Sequence, residues 1–204
     1  MRQTSKLAAF GLAAAVLLAP AAWAQSSPSP ADVKAGSFAA DPGHTKVTWS
    51  INHFGFSTYV GQFNGVAATL KLDPKALANT SLEATIQTAS VGTFNPALDN
   101  HLKSPDFLDV AKFPTATFKA TSVKTTGERT ADITGDLTLH GVTKPVVIQA
   151  TFNRGGANPA DKTYRLGFAG KTVIKRTEFG IKSYAPALGD EVTLEIEAEF
   201  KVTS

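Results

Sequence analysis

The last strand-like stretch of the chain separates apolar from charged side chains residue by residue. In EVTLEIEAEFKV, residues 191–202, one set of alternate positions is entirely apolar, whereas the other is mostly charged. Successive side chains of a β-strand point to opposite faces. This stretch therefore predicts a strand with one dry face and one wet face, on which Glu195, Glu197 and Glu199 meet water.

The same alternation recurs along most of the chain after residue 45. It is clearest in residues 46–51, 66–72, 82–86, 116–120, 133–139, 146–152 and 164–174. Polar or Gly/Pro-bearing turns such as TTGE and NRGGANPADK separate several of these stretches. Short alternating strands without intervening helices are typical of a sandwich or a closed barrel. The pattern therefore predicts an all-β domain of about eight strands, built either as a sandwich or as an eight-stranded antiparallel barrel.

One segment interrupts the strand pattern between the third and fourth predicted strands. In NPALDNHLKSPDFLDVAKFP, Asn95 is suited to cap a helix whose first residue is Pro96. Ser104 and Pro105 repeat the signal for a second short turn. The sequence thus predicts a short helical excursion over about residues 96–110.

The interior of such a barrel is either packed solid or hollow. Small residues occur in the apolar phase of most predicted strands and leave volume along the axis, unless large neighbours interlock with them and fill it. The pattern alone leaves both alternatives open. The residues predicted to line a lumen are Val47, Trp49, Ile51, Ala68, Phe118, Ala120, Leu137, Ile148, Ala150, Phe152, Phe168, Ile174, Leu194, Ile196 and Phe200.

A transmembrane barrel is a third alternative, because its strands also alternate. Its apolar face points to lipid, and girdles of aromatic residues mark the two interfaces. This chain has only three Tyr and two Trp, and its three clustered glutamates fit open water better than a narrow channel. We therefore expect no stable membrane insertion.

Polar residues continue the inward phases of several strands. In a simple up-and-down order, His53 and Arg176 reach one end of the barrel, and Arg154 reaches the opposite end. The helical excursion follows an odd-numbered strand, which places His101 and Lys103 at the His53 end as well. An apolar tunnel with basic groups at one mouth suits a long apolar molecule with a polar or anionic head group.

The head-group candidates are therefore His53, His101, Lys103 and Arg176. A buried unpaired guanidinium is costly, so Arg176 needs an anion such as Glu178 or a ligand phosphate. The structural alternative is that Arg176 pairs permanently with Glu178 or Asp190 and that His53 bonds a backbone carbonyl.

The N-terminus has the features of an export signal. Basic residues precede an apolar run over residues 7–18, and Ala22-Trp23-Ala24 supplies small residues before a cleavage point. We predict a signal peptide at residues 1–24, a flexible leader at 25–40 and the barrel domain at 41–204. The expected location is the periplasm, or the outside of the cell. The formal net charge is +3, and the basic residues do not cluster into a stripe, so we expect no nucleic-acid partner.

Composition also restricts the chemistry. The chain has no cysteine, which excludes disulfides, thiolate metal sites and a cysteine nucleophile. No G-x-S-x-G elbow is present, and the four histidines lack H-x-H or H-E-x-x-H spacing. We assign no catalytic residue, no metal ligand and no required cofactor.

Four stretches together resemble a known family. DPGHTKVTWSINHFGFSTYVGQFNG, DNHLKSPDFLDVAKFP, GDLTLHGVTKPV and IKRTEFG are similar, in this order and at these spacings, to the YceI-like family of polyisoprenoid-binding proteins. The resemblance covers about residues 41–202. It implies a lipocalin-like barrel, exported in bacteria, that holds a long isoprenoid chain such as a quinone tail, a prenyl phosphate or a related amphiphile.

The expected function is therefore storage, transport or protection of an isoprenoid or other long-chain amphiphile. A quinone-like lipid bound in the barrel is the expected small molecule. Two rival classes remain at this point: a filled barrel that serves as a structural or protein-partner module, and an enzyme acting on isoprenoids. The sequence also leaves a homodimer open.

Overall fold

The structure is a computed structural model that describes residues 29–203. The predicted signal peptide lies outside these described residues. The chain forms one short helix, α1 (Pro96–Lys103), and the strands β1 (Gly36–Ala40), β2 (Lys46–His53), β3 (Ser57–Phe63), β4 (Val66–Leu72), β5 (Ser81–Gln87), β6 (Val91–Gly92), β7 (Thr115–Thr125), β8 (Thr130–Leu139), β9 (Val142–Ala157), β10 (Tyr164–Lys175) and β11 (Glu191–Val202).

The strands form a closed antiparallel barrel. Three of the barrel strands consist of two segments each: β1 and β2 form the first, β3 and β4 the second, and β5 and β6 the third. Together with β7 to β11 they make eight barrel strands in up-and-down order. The last strand, β11, pairs with β10 on one side and with both β1 and β2 on the other. This pairing closes the barrel and confirms the predicted eight-stranded antiparallel fold.

The alternating pattern sorts side chains between interior and solvent as predicted. Trp49, Phe118 and Phe200 are buried inside the barrel. On the opposite face of β11, Glu195 and Glu197 are exposed and Glu199 is half-buried. The predicted wet face of the last strand is confirmed.

The helical excursion begins at the predicted cap. The Asn95 side-chain oxygen accepts hydrogen bonds from the backbone N–H groups of Ala97 and Leu98 at 3.2 and 3.3 Å. The α-helix ends at Lys103, and the chain continues through a series of turns to residue 112. These turns follow the second predicted signal at Ser104 and Pro105.

The leader predicted for residues 25–40 is wrong at its C-terminal end. Residues 36–40 form β1, which pairs with β4 and with the end of β11. Phe38 is only 1% exposed, and Val33 packs in the same cluster. Asp41 and Pro42 interrupt the alternation between β1 and β2, so the sequence pattern did not show that residues 36–40 belong to the barrel.

Two further differences from the prediction concern the strand phases. Residues 57–63 form the strand β3, which the pattern did not indicate. Arg154, predicted to point inward, is exposed. A bulge in the pairing of β9 with β10 shifts the phase after Phe152, and Gly155 is buried instead. A single extra residue in one strand reverses the faces beyond it.

The break between β1 and β2 is held by a buried carboxylate. Asp41 Oδ2 lies 2.9 Å from His44 Nδ1, 2.8 Å from Arg165 Nη1 and 3.0 Å from Lys201 Nζ. The Asp41 backbone N–H also donates to the Glu199 carbonyl at 2.7 Å. The hydrogen bond from Lys201 is the main cause that lowers the pKa of Asp41, and burial opposes it. Asp41 therefore fixes the first barrel strand to β10 and β11.

A buried guanidinium holds the loop between β10 and β11. Arg176 is 4% exposed and donates to four backbone carbonyls. Its Nε bonds Gly189 at 2.8 Å, Nη1 bonds Ile181 at 3.0 Å and Ser183 at 2.9 Å, and Nη2 bonds Leu188 at 3.0 Å. We call this arrangement the Arg176 clasp. It folds residues 177–190 back over the end of the barrel.

Replacing Asp41 by Asn should lower the free energy of unfolding at pH 7 by about 1.5–3 kcal/mol, the range for charge-assisted hydrogen bonds. The folded pKa of Asp41 lies below its unfolded value, so the carboxylate stabilises the fold at neutral pH. That stabilisation is lost as the pH falls below about 4. Urea unfolding of both proteins at several pH values should show the difference shrinking in acid.

The matched control is Asp161→Asn, which removes an exposed carboxylate bonded to the same Arg165. It should change stability less than Asp41→Asn. Equal stability of wild type and Asp41→Asn at pH 7 would contradict the role given to this residue.

Replacing Arg176 by Met should destabilise the fold by at least about 2 kcal/mol, because buried carbonyls lose their donors. The control Lys175→Met removes an exposed positive charge at the adjacent position and should have little effect. Thermal unfolding of both variants measures the difference. Similar melting temperatures for the two would show that the clasp does not stabilise the loop.

Candidate functional site

The interior of the barrel contains a cavity of about 650 Å³. All eight barrel strands contribute side chains to its walls, and these side chains are predominantly aliphatic or aromatic. The hollow alternative therefore holds, and the filled barrel is wrong for this structure. The volume lies within the usual range for pockets that hold small molecules.

The predicted lumen residues line this cavity with one exception. Those found in its walls are Val47, Trp49, Ile51, Ala68, Phe118, Leu137, Ile148, Ala150, Phe152, Phe168, Ile174, Leu194, Ile196 and Phe200. Ala120 is instead packed within the barrel wall near Phe118 and Leu137. A register shift between β7 and β8 follows Ala120, and Val123 lines the cavity beyond it.

Two large aromatic side chains lie flat against glycines of neighbouring strands. A Cβ atom at Gly61 would stand 2.3 Å from Trp49 Cζ2, and one at Gly135 would stand 2.4 Å from Phe118 Cζ. Such distances are far inside van der Waals contact, so any larger residue would push the ring aside. These glycines thus keep the rings against the wall rather than across the cavity.

Two segments cover the end at which β2 and β10 finish, here called the His53 end. Phe107 and Leu108 follow α1, and Ile181 and Leu188 belong to the loop held by the Arg176 clasp. All four are buried in one cluster with Trp49. Sequence reasoning missed them as lining residues because it considered strand alternation only. The sequence signal that could have indicated two of them is the apolar pair Phe107-Leu108, which follows the Ser104-Pro105 turn.

The polar candidates are distributed unevenly around this end. His53, His101 and Arg176 line the cavity, whereas Lys103 does not. His53 is exposed, and His101 Nε2 lies 3.4 Å from Asp106 Oδ2. The structure therefore brings two imidazole rings, which can donate or accept hydrogen bonds, to the same end of an apolar cavity.

The anion expected beside Arg176 is not its partner. The Asp190 carboxylate accepts hydrogen bonds from Thr177 N and Oγ1 at 2.9 and 3.0 Å, and Glu178 lies 3.3 Å from Lys144. Burial lowers the pKa of Arg176, and the charge of Asp190 opposes that shift. Backbone carbonyls take up the guanidinium donors, so the geometry favours a structural role over a phosphate contact, although the expected carboxylate partner is wrong.

The cavity continues to the opposite end of the barrel. Pro30, Leu77 and Arg129 belong to its lining there. Arg129 donates to the carbonyls of Phe152 and Asn153 at 3.1 and 2.6 Å. Its guanidinium also lies 4.9 Å from the centre of the Phe152 ring. Arg129 thus fastens the β7–β8 turn to β9, a contact that the pattern at this end did not suggest.

One cluster has the spacing of metal ligands. Ligand atoms of Asp41, His44 and Glu199 lie within 4.8 Å of one another. Arg165 and Lys201 already donate to the same Asp41 oxygen. We therefore interpret this cluster as the ion-pair network that anchors the broken first strand.

No helix in residues 29–203 is long and apolar enough to cross a bilayer.

Sequence comparison places relatives across nearly the whole barrel. The family model for the YceI-like domain matches residues 38–200. A UPF0312 protein of Pseudomonas savastanoi pv. phaseolicola is 44% identical over 158 residues, which is 78% of this chain and 80% of the relative. A UPF0312 protein of Ectopseudomonas mendocina is 47% identical over 145 residues, or 71% and 75% of the two chains.

Solved structures share the same architecture. A YceI protein of Campylobacter jejuni is 32% identical with a TM-score of 0.66, covering 76% of this chain and 91% of its own. BcnA of Burkholderia cenocepacia gives a TM-score of 0.71 at 24% identity, covering 78% and 98%. A polyisoprenoid binding domain from Saccharophagus degradans gives 0.64 at 13% identity, covering 83% and 100%. The last two likenesses concern the fold, whereas the family model and the close relatives show that this chain belongs to the YceI-like family.

Proposed function

We propose that this protein binds one long apolar molecule of the isoprenoid class inside its barrel and does not convert it. The cavity of about 650 Å³ is the main support for this proposal. An empty apolar cavity lowers the stability of a protein, and a bound apolar ligand would fill it. An isoprenoid chain would bury its hydrocarbon against aliphatic and aromatic walls and need few polar partners.

The ligand class gains support from a structural relative. The Saccharophagus degradans domain that shares this fold is described as polyisoprenoid binding. Its identity with this chain is 13%, so the ligand is carried over as part of the proposal. The cavity walls here are chemically suited to the same kind of molecule.

The His53 end favours an uncharged head group. His53 and His101 line the cavity there and offer ring N–H donors to a quinone carbonyl or a similar oxygen. Arg176, the cation best suited to a phosphate, is held by backbone carbonyls. A prenyl quinone or another neutral head group therefore fits this end better than a prenyl phosphate.

The predicted signal peptide supports a proposal for where the ligand is bound. The predicted signal peptide directs the protein to the periplasm, where a free isoprenoid would be almost insoluble in water. A barrel that encloses the chain would store it, carry it or shield it from reaction.

Replacing Ala150 by Phe should block the ligand while the fold survives. Ala150 lines the cavity at a position where β9 pairs with Gly170 of β10, so a larger ring would enter open space. Affinity for a long-chain prenyl quinone should fall at least tenfold, measured by fluorescence or calorimetric titration. Overpacking a full core would instead cost about 1–3 kcal/mol of stability.

The matched control is Thr151→Phe, which adds the same ring at the next, exposed position of β9. It should leave both affinity and melting temperature unchanged. If Ala150→Phe strongly destabilises the protein and binding of the quinone is unaltered, the cavity is not the binding site.

A further inference from the structure

Four exposed aromatic side chains lie at the His53 end. Phe94 is fully exposed, Phe56 is 89% exposed, Tyr184 56% and Phe54 41%. They come from three separate segments: the β2–β3 turn, the β6–α1 turn and the loop held by the Arg176 clasp. We call these four residues the aromatic rim. Exposed aromatic groups concentrated at one end of a domain usually mark an interaction surface.

Hydrogen bonds connect the clasped loop, which carries Tyr184, to two neighbouring segments at this end. Ser183 Oγ donates to the Asp106 carbonyl at 2.6 Å, which joins the clasped loop to the turns after α1. Gly189 N donates to the Asn52 carbonyl at 3.0 Å, which joins the same loop to the end of β2. The segments that carry Phe54 and Tyr184 are therefore fixed to each other at the end of the barrel.

The backbone holds these side chains outward at some cost. Phe54, Phe94 and Tyr184 have φ values of 55°, 60° and 59°. Bulky residues rarely adopt this left-handed conformation, which favours Gly, Asn and Asp. The sequence keeps large aromatic groups at positions where a small polar residue would be more stable, which indicates that the rings are needed there.

The rim segments carry no charge. Residues 54–58, 94–97 and 184–187 read FGFST, FNPA and YAPA, and they are exposed at most positions. Loops at the opposite end contain Asp73, Lys75, Glu128, Asp161 and Lys162. The His53 end also carries the exposed charges Asp106 and Lys182, which lie outside these stretches. The four rings themselves can enter a lipid interface without the cost of desolvating an ion.

Two members of the rim also border the cavity. Phe54 and Tyr184 are among its lining residues, whereas Phe56 and Phe94 are not. The rim therefore continues from the cavity wall to the outermost surface. An apolar chain leaving a bilayer would pass from lipid along these rings into the barrel and would avoid exposure to water.

We propose that the aromatic rim is a peripheral docking surface for a phospholipid bilayer, through which the barrel exchanges its apolar ligand. The proposal rests on the proposed lipid-binding function. Amphipathic or apolar rings at the level of the head groups anchor proteins without a spanning segment. Because the four rim residues are uncharged and the exposed charges near them, Asp106 and Lys182, have opposite signs, docking should need no anionic lipid and should change little with salt.

The test is flotation of the purified protein with phosphatidylcholine vesicles. Wild type should float with the vesicles, and Phe56→Ser combined with Phe94→Asn should lower the partition coefficient at least about tenfold. Asn at residue 94 tolerates the positive φ there. Neither residue lines the cavity, so the double variant should still bind a prenyl quinone in detergent solution.

The control variant is Val147→Ser combined with Val173→Ser, which removes two exposed apolar side chains from the barrel flank. It should float like wild type. Wild type that stays with the soluble fraction, or a rim variant that floats equally well, would overturn the docking surface. A sedimentation experiment in which the rim variant converts a dimer to a monomer would show that the rim contacts protein instead.

The two proposals fail in distinguishable ways. If the protein floats with vesicles but binds no prenyl quinone in detergent, the docking surface is supported and the proposed ligand is wrong. If the protein binds the quinone but never floats, the proposed ligand is supported and the docking surface is wrong.

Discussion

Closure of the barrel depends on how β11 pairs with a first strand that is broken in two. Its N-terminal half pairs with β2, and its C-terminal half pairs with β1. Asp41 lies at the break, where its carboxylate receives Arg165 from β10 and Lys201 from β11. Without this joint the sheet would have two free edges, and the apolar faces of its strands would not enclose a common space.

Enclosure alone would allow a solid core, and the distribution of large and small residues keeps the interior hollow. Trp49 and Phe118 lie against Gly61 and Gly135, so their rings cover the wall instead of crossing the axis. At the His53 end, the Arg176 clasp fixes the loop that carries Ile181 and Leu188 over the barrel. The cavity is thus bounded by strands on its sides and partly covered at the His53 end, where the exposed rings of Phe54 and Tyr184 also border it.

Periodicity was sufficient to predict an all-β domain of about eight strands, and all but one of the lumen residues that it indicated lie in the cavity wall, because a closed sheet turns every apolar phase inward. It failed where one residue interrupts the period. A bulge moved Arg154 off the predicted phase, another shifts the phase of β7 after Ala120, and the break at Asp41 hid β1. The partners of Arg176 were beyond prediction for another reason: they are carbonyls of a loop whose conformation no local pattern specifies.

These features describe a container for one long apolar molecule, with donors at one end and an uncharged aromatic rim around it. Native mass spectrometry of the purified protein, with identification of the released lipid, tests this account most directly. We predict a one-to-one complex with an isoprenoid chain that bears a neutral head group. A protein that emerges empty, and remains empty when mixed with prenyl quinones, would contradict the account.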